Sequence, residues 1–322
     1  MLSASDAAHV LRFQSFLLDD AARLETWQAA IRATVRPGDV VLDLGAGMGI
    51  LSLFACEAGA ARVYAVESAP SVELARLVAA DNGLGERIVC LHARSQDVEL
   101  PERADVLLTD TTETFGLNGQ LLSAVIDARA RLLKPDARLL PGEIELRVAP
   151  VEAPRSYGYF VDVWAHDFRG FDLSAIRPFA ANNKQPATLD AKALLATPAA
   201  LGALDLASLS EPSFAGRARV TATRAGTAHG LAGFFAARLA DGITLSNDPH
   251  QATVSYMRAL LPLAEPLALD AGDELSVEVC TDDGRDWSWR VERTPPEGGS
   301  AERRQQATHH GFPRTREELL GK

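Results

Sequence analysis

The sequence predicts an α/β domain on a doubly wound parallel sheet, followed by a mostly antiparallel β domain. Three observations carry this. Over the first ~150 residues, helical and short apolar strand patterns alternate, the order that gives a parallel sheet covered on both faces. From about residue 137 the pattern changes to short apolar runs separated by turns, with period-two alternation in EIELRV and ELSVEV, as in antiparallel sheets. Between the first strand and its helix lies the glycine loop of VVLDLGAGMGILSLF. A chain of 322 residues is long enough for two cores of ~100–200 residues each.

In order, residues 17–34 (LLDDAARLETWQAAIRAT) have helical spacing and residues 39–44 (DVVLDL) form a short apolar strand. Residues 49–58 read as helix, 62–66 (RVYAV) as a second strand, and 70–82 as a helix with Gly83 as its C-terminal stop. Residues 87–92 (RIVCLH) and 104–109 (ADVLLT) are the third and fourth strands, and 120–133 is a helix that Pro135 cannot continue. The β half comprises ARLLP, EIELRVAPV, GRARVTATR, HGLAGFFAARL, ELSVEVC and WSWRVER. Residues 155–200 interrupt it with the aromatic stretch YGYFVDVWAHDFRGFDL and an Ala-rich polar segment. Residues 294–322, rich in Pro, Gly and charge, read as a tail.

Composition excludes several classes. Hydrophobic residues at 47% and charged residues at 23% exclude wholesale disorder. With 43 acidic against 32 basic side chains the net charge is -11, which repels phosphate backbones and argues against nucleic-acid binding. No apolar run reaches the ~18 residues of a membrane span, and the N-terminus MLSASDAAHVLRF lacks the pattern of a secretory signal. Cys56, Cys90 and Cys280 lie far apart and read as reduced thiols of a cytoplasmic protein. His309 and His310 are adjacent but have no further ligands at metal spacing, so no metal is expected.

The glycine loop is the strongest local signal. Gly45, Gly47 and Gly49 follow the first strand and let the backbone bend and approach a ligand closely. A dinucleotide fingerprint would place its third glycine at position 50, which is Ile50. Asp43 precedes the loop, where it can accept from an ammonium or hold water, and Glu67 ends the second strand, where a carboxylate can take both ribose hydroxyls. This set fits a nucleoside with an amino-acid tail, S-adenosylmethionine, better than a pyrophosphate. Gln96 and Asp97, after the third strand, are candidates for the adenine edge or equally solvated turn residues.

VVLDLGAGMGILSLFACEAGAARVYAVE resembles the cofactor-binding core of the protein arginine methyltransferases. LLDDAARLETWQAAI is similar to that family's leading helix, whose arginine, Arg23 here, pairs with the methionine carboxylate. ARSQDVELPERADVLLTD, ARARLLKPDARLLPGEIEL and FRGFDLSAI also resemble family segments. The resemblance implies an α/β + β fold. Its parts are a Rossmann-like methyltransferase domain over 1–140, a β-barrel substrate domain over 141–293 with an inserted dimerisation arm at about 155–200, and a tail over 294–322. It further implies a homodimer.

The departures bear on the substrate. The family's loop after the fourth strand carries two glutamates that hold the substrate guanidinium; here it reads TDTTETFGLNGQ, with Asp110 at the first position and Gly119 at the second. Glu113 is nearby but out of register. The family's Thr-His-Trp loop is replaced by SNDPHQATVSYM, with His250 near the tryptophan position. A guanidinium is permanently charged and wants two carboxylates, whereas a neutral amine or amide wants one acceptor and a base. Asp110 is the expected acceptor, with Glu113 and His250 as partners. The bland readings are a loop cap, a solvated charge and a surface histidine. The expected activity is methylation of a side-chain nitrogen (amide, amine or atypical guanidine) of a peptide or protein. The alternatives are small-molecule N-, O- or S-methylation and an inactive scaffold of the same fold.

Overall fold

The computed structural model describes residues 4–251, 256–282, 284–294 and 301–312. Two N-terminal helices, α1 (Ala4–Leu18) and α2 (Ala21–Thr34), precede the sheet. The sequence suggested one helix across their junction. Instead, the Asp20 side chain accepts from Arg23 N at 3.0 Å, the preferred use of an aspartate at a helix N-cap, and the chain turns there. α2 buries Trp27, Ala30 and Ile31 together with Arg23.

The first sheet contains β1 (Val40–Leu44), β2 (Arg62–Glu67), β3 (Ile88–His92), β4 (Ala104–Leu108) and β5 (Leu133–Leu140). Its order is β3-β2-β1-β4-β5, and every pair is parallel. The intervening helices are α3 (Ile50–Glu57), α4 (Val72–Asp81) and α5 (Leu121–Arg131). β1 is central and buried along its whole length, which explains its unbroken apolar run. Pro135 lies inside β5, an edge strand, where a missing N–H costs no ladder bond. Strand order reverses between β1 and β4, opening a crevice at their carboxyl ends. There Asp43 is in register with Ala65 of β2 and Leu108 of β4.

β6 (Glu143–Val151) begins the second domain, followed by α6 (Pro154–Phe160), the two-residue strands β7 (Asp167–Phe168) and β8 (Phe171–Asp172), α7 (Arg177–Ala181) and β9 (Gln185–Ala187). Then come β10 (Ala199–Asp205), β11 (Phe214–Thr221), β12 (Gly226–Ala240), β13 (Ile243–Ser246), β14 (Arg258–Leu269), β15 (Glu274–Thr281) and β16 (Trp287–Thr294). One sheet has the order β10-β6-β12-β14-β9 with β13 paired to β12, the other β11-β15-β16-β17. Here β17 is Glu302–Ala307. β11 lies against β10 and β17 against β14, so the two antiparallel sheets form a barrel-like body. β11 alternates strictly between buried and exposed residues. β12 is buried on both faces through its middle, because its outer face packs on α2 and on the loop after β4.

A further sequence reading differs from this arrangement. Residues 302–307, read as part of a tail, are a strand paired with β16. ERRQQA has no apolar alternation, and only Gln306 and Ala307 are buried, so the ladder, not side-chain burial, holds it. Residues 295–300 and 313–322 of that tail lie outside the described residues. In the segment after β6, read as an inserted arm, two short helices flank a β7–β8 hairpin. The segment exposes Tyr159, Phe168 and Phe171 at 74%, 60% and 69%. No helix among the described residues is long and apolar enough to cross a membrane.

Candidate functional site

At the carboxyl ends of β1, β2 and β4 lies a cavity of about 930 Å³. Its floor is the glycine loop. Gly45, Gly47 and Gly49 all have positive φ (75°, 57° and 86°), the left-handed region that glycine enters without steric cost. A Cβ on Gly45 would lie 2.3 Å from Thr111 Cγ2, so the loop after β4 can approach only because residue 45 has no side chain. The loop closes through Gly45 N donating to Val66 O at 2.9 Å.

Asp43 is 1% exposed. Its Oδ2 accepts from Ser52 Oγ at 2.6 Å, while Oδ1 is buried with no hydrogen-bond partner among the described residues. A buried unpaired acceptor is costly unless a ligand supplies the donor. Burial, helped by repulsion from Glu67 and Asp110 and opposed by the Ser52 hydrogen bond, pushes this carboxyl up to about 7. Glu67 accepts from Gly47 N at 2.9 Å and Ala69 N at 2.7 Å, so its carboxylate is fixed at the cavity wall with acceptor capacity remaining. α1 roofs this half through Phe13, Gln14 and Leu17.

The opposite wall is built on Arg23, Asp110 and Tyr256, all buried. Arg23 Nε donates to Asp110 Oδ2 at 2.8 Å, and its Nη2 donates to the same oxygen. Asp110 Oδ1 accepts from the Tyr256 hydroxyl, which also accepts from Arg23 Nε at 3.3 Å. Burial alone would lower the Arg23 pKa, but Asp110 and Tyr256 together hold it above the usual value. Burial and the Asp110 charge push the Tyr256 phenol up, keeping it a neutral donor. The Tyr256 ring packs edge-on against Phe235, 5.5 Å between centroids.

The loop after β4 is wedged between the domains. Phe115 and Leu117 are fully buried, and a Cβ on Gly233 of β12 would come within 2.8 Å of the Phe115 ring. Asn247, also fully buried, donates to Thr114 O at 2.8 Å and Met257 O at 2.9 Å and accepts from Phe235 N at 2.8 Å. It staples the loop before β14 to the loop after β4.

The structure gathers Arg23, Asp43, Gly45, Gly47, Glu67, Asp110 and Glu113 around this one cavity. Gly49 sits just behind it as the N-cap of α3. Glu113 is half-exposed and accepts from Lys184 Nζ at 3.2 Å. Gln96 and Asp97 do not reach the cavity wall. Both are exposed, and Asp97 pairs with Arg94 at 3.0 Å, while Ala93, Arg94 and Ser95 line that side. His250 is also apart: it is 62% exposed and its Nδ1 is 2.7 Å from Asp248 Oδ1. Tyr256 stands where His250 was expected. It is the aromatic residue of SNDPHQATVSYM and lies two residues before the start of β14, a signal that placing the aromatic by residue type instead of by count would have caught.

The two halves of the chain match two families. Residues 144–292 match the arginine methyltransferase oligomerization subdomain, and residues 26–140 match ribosomal protein L11 methyltransferase. The chain is 39% identical over 166 residues to a probable protein arginine N-methyltransferase 6 of Arabidopsis thaliana, covering 51% of this chain and 38% of that one. It is 33% identical over 284 residues to a probable histone-arginine methyltransferase CARM1 of Oryza sativa subsp. indica, covering 83% and 53%. It thus spans about half or less of these curated relatives. In fold it is similar to the Trypanosoma brucei PRMT1 enzyme-prozyme heterotetrameric complex with AdoHcy (TM-score 0.82, 22% identity, 91% and 97% coverage). Arabidopsis thaliana protein arginine methyltransferase 10 gives a TM-score of 0.78 at 21% identity, with 92% and 97% coverage.

Proposed function

This chain belongs to the protein arginine methyltransferase family, and from that membership we propose that it methylates a side-chain nitrogen of a peptide or protein with S-adenosylmethionine. The observation that carries the proposal is the convergence of Asp43, Glu67 and the glycine loop with the Arg23–Asp110–Tyr256 triangle on one cavity. The unpartnered Asp43 Oδ1 suits the cofactor ammonium, Glu67 the ribose hydroxyls, and Arg23 the carboxylate. When bound, the cofactor supplies an electrophilic methyl carbon for in-line displacement.

The remaining chemistry belongs to the chain. Asp110 receives an N–H of the acceptor and directs the nitrogen lone pair toward the methyl carbon. It is also placed to take the proton released on transfer. Arg23 and Tyr256 hold that carboxylate in one rotamer. A cofactor carboxylate and Asp110 share the Arg23 guanidinium, so cofactor loading precedes a productive acceptor site.

Incubation with methyl-labelled cofactor and a cell extract tests the reading. Label in the macromolecular fraction supports it; label only in small molecules favours the alternative, a metabolite methyltransferase. No cofactor binding by calorimetry leaves an inactive scaffold.

Three further outcomes follow from the geometry. Glu67→Ala weakens S-adenosylhomocysteine binding by ~1–3 kcal/mol through lost hydrogen bonds, read by calorimetry; unchanged affinity removes Glu67 from the site. Asp43 gives a pH signature. Its carboxyl is raised from 3.8 to about 7, so the folded apo protein holds a proton that the unfolded chain releases. Its contribution to stability is complete below pH ~4 and lost as pH rises through ~7. An ammonium beside it favours the ionised form. Binding therefore releases a proton at pH ~6, and affinity rises with pH up to ~7. Calorimetry in buffers of different ionisation enthalpy measures this, and zero proton release contradicts it.

The third outcome concerns assembly. The exposed Tyr159, Phe168 and Phe171 of the segment after β6, and the exposed Leu11, Phe13, Phe16 and Leu18 of α1, are complementary apolar surfaces for a homodimer. Phe168→Ser with Phe171→Ser yields a monomer in analytical ultracentrifugation; a persistent dimer places the interface elsewhere.

A further inference from the structure

Tyr256 meets Asp110 on the acceptor side of the cavity, and the segment that carries the tyrosine is held by a reciprocal clasp. From one end, the Asn247 amide donates to Met257 O at 2.9 Å, one residue past Tyr256. From the other, the Arg258 guanidinium reaches back. Its Nε donates to Asn247 O at 2.8 Å, and its Nη2 donates to Asp248 O at 2.9 Å and to Gln251 O at 2.6 Å. Asn247 also donates to Thr114 O at 2.8 Å, so the clasp is tied to the loop that carries Asp110. Arg258 has a fixed base: it opens β14 in register with Ala187 of β9.

Stability alone does not account for an arginine here. Arg258 is buried, and among the described residues its hydrogen bonds go to carbonyls and to no carboxylate. The Asp248 carboxylate is turned to other groups: it accepts from His250 N at 2.9 Å, lies 2.7 Å from His250 Nδ1 and faces Arg147 at 3.5 Å. Burial lowers the Arg258 pKa, with the Asp248 charge opposing it. A buried cation without a carboxylate partner carries a desolvation penalty that an apolar residue would avoid. What the guanidinium supplies is direction. Its donors form a rigid planar fork, and here they set the path of residues 247–251 against the first residue of a strand.

We propose that Arg258 is a positioning residue for methyl transfer: by clasping the carbonyls of Asn247, Asp248 and Gln251 it fixes the Tyr256 hydroxyl on Asp110, and with it the direction in which that carboxylate meets the acceptor nitrogen. The proposal rests on the reading of Asp110 as the group that receives the acceptor N–H. Arg23 holds Asp110 Oδ2 and Tyr256 holds Oδ1, so a displaced tyrosine leaves the carboxylate anchored through one oxygen and free to turn about it. A misplacement of ~1 Å costs up to about 10²-fold in rate. Arg258 does not line the cavity, so its effect passes through Tyr256.

The test uses the full chain. Tyr256 is one of four tyrosines, so in protein labelled with 3-fluorotyrosine the fluorine resonance lost in Tyr256→Phe belongs to Tyr256. Arg258→Gln shifts or broadens that resonance, as Asp110→Asn does, and leaves those of Tyr64 and Tyr157 in place. Arg258→Lys keeps the charge but not the planar fork; it gives a smaller change of the same kind and decides the matter if the glutamine variant does not melt cooperatively. Initial rates of methyl transfer from labelled cofactor to the macromolecular fraction of a cell extract fall about tenfold or more in Arg258→Gln, while S-adenosylhomocysteine affinity by calorimetry stays within about twofold. In the Tyr256→Phe background the same substitution lowers the rate by less than about twofold, because the two residues act in series. A Tyr256 resonance unmoved in both variants, a rate loss as large without the tyrosine hydroxyl as with it, or a matching loss of cofactor affinity overturns the proposal. The two failures are distinct: native protein that labels no macromolecule overturns the reading of the cavity, whereas the fluorine spectrum reports on the link from Arg258 to Tyr256 without any substrate.

Discussion

Asp110→Asn lowers methyl transfer by about 10²–10⁴-fold, the range for removing a positioned proton acceptor, while S-adenosylhomocysteine affinity changes by less than about tenfold. The asparagine keeps the shape of the side chain and an oxygen for Arg23, but it has no charge with which to accept a proton. It also offers an N–H toward Tyr256, whose hydroxyl donates to Asp110 in the native protein. The tyrosine must reorient to accept, and the acceptor nitrogen loses its partner. Single-turnover kinetics with labelled cofactor, alongside calorimetry, separate the two effects. Native turnover in the variant would remove Asp110 from the chemistry. An equal loss of cofactor affinity would mean that its role is to hold Arg23.

Arg23→Met has the larger effect on the folded state. The Arg23 and Asp110 side chains are 8% and 6% exposed, so the substitution leaves a buried carboxylate supported only by the Tyr256 hydroxyl. Removing one partner of a buried ion pair typically costs ~3–5 kcal/mol, enough to lower Tm by roughly 4–7 °C in a chain of this size. The same variant loses the guanidinium proposed for the cofactor carboxylate and binds S-adenosylhomocysteine weaker by ~1.5–3 kcal/mol. Because Asp110 drives much of the destabilisation, the double variant Arg23→Met with Asp110→Asn recovers part of the stability but not the binding. A double-mutant cycle on melting and on affinity checks this; additive losses in stability would show that the pair is uncoupled.

Much of the fold was legible because it is local. The β1 run VVLDL is apolar from end to end since both faces of a central parallel strand are covered. The alternation of β11 and β15 appears in the sequence because each has one buried face. The glycines at 45, 47 and 49 mark a backbone that must enter positive φ. Asp43 and Glu67, at the ends of adjacent strands, follow directly from that register. β17 was not legible: its residues are polar and its place depends on a ladder with β16, which leaves no period in the side chains.

What the sequence determined by itself is therefore the scaffold and much of the cavity half proposed for the cofactor, where strand ends and a glycine loop lie within one βαβ unit and short-range backbone rules dictate the geometry. Only the tertiary structure decided the half proposed for the acceptor. Tyr256 reaches Asp110 across 146 positions, Arg285 fills the space beside Gly119 across 166, and His250 turns outward to Asp248. These contacts arise where a barrel loop and a hairpin turn dock on the loop after β4, and packing between domains leaves no periodic trace in a linear chain.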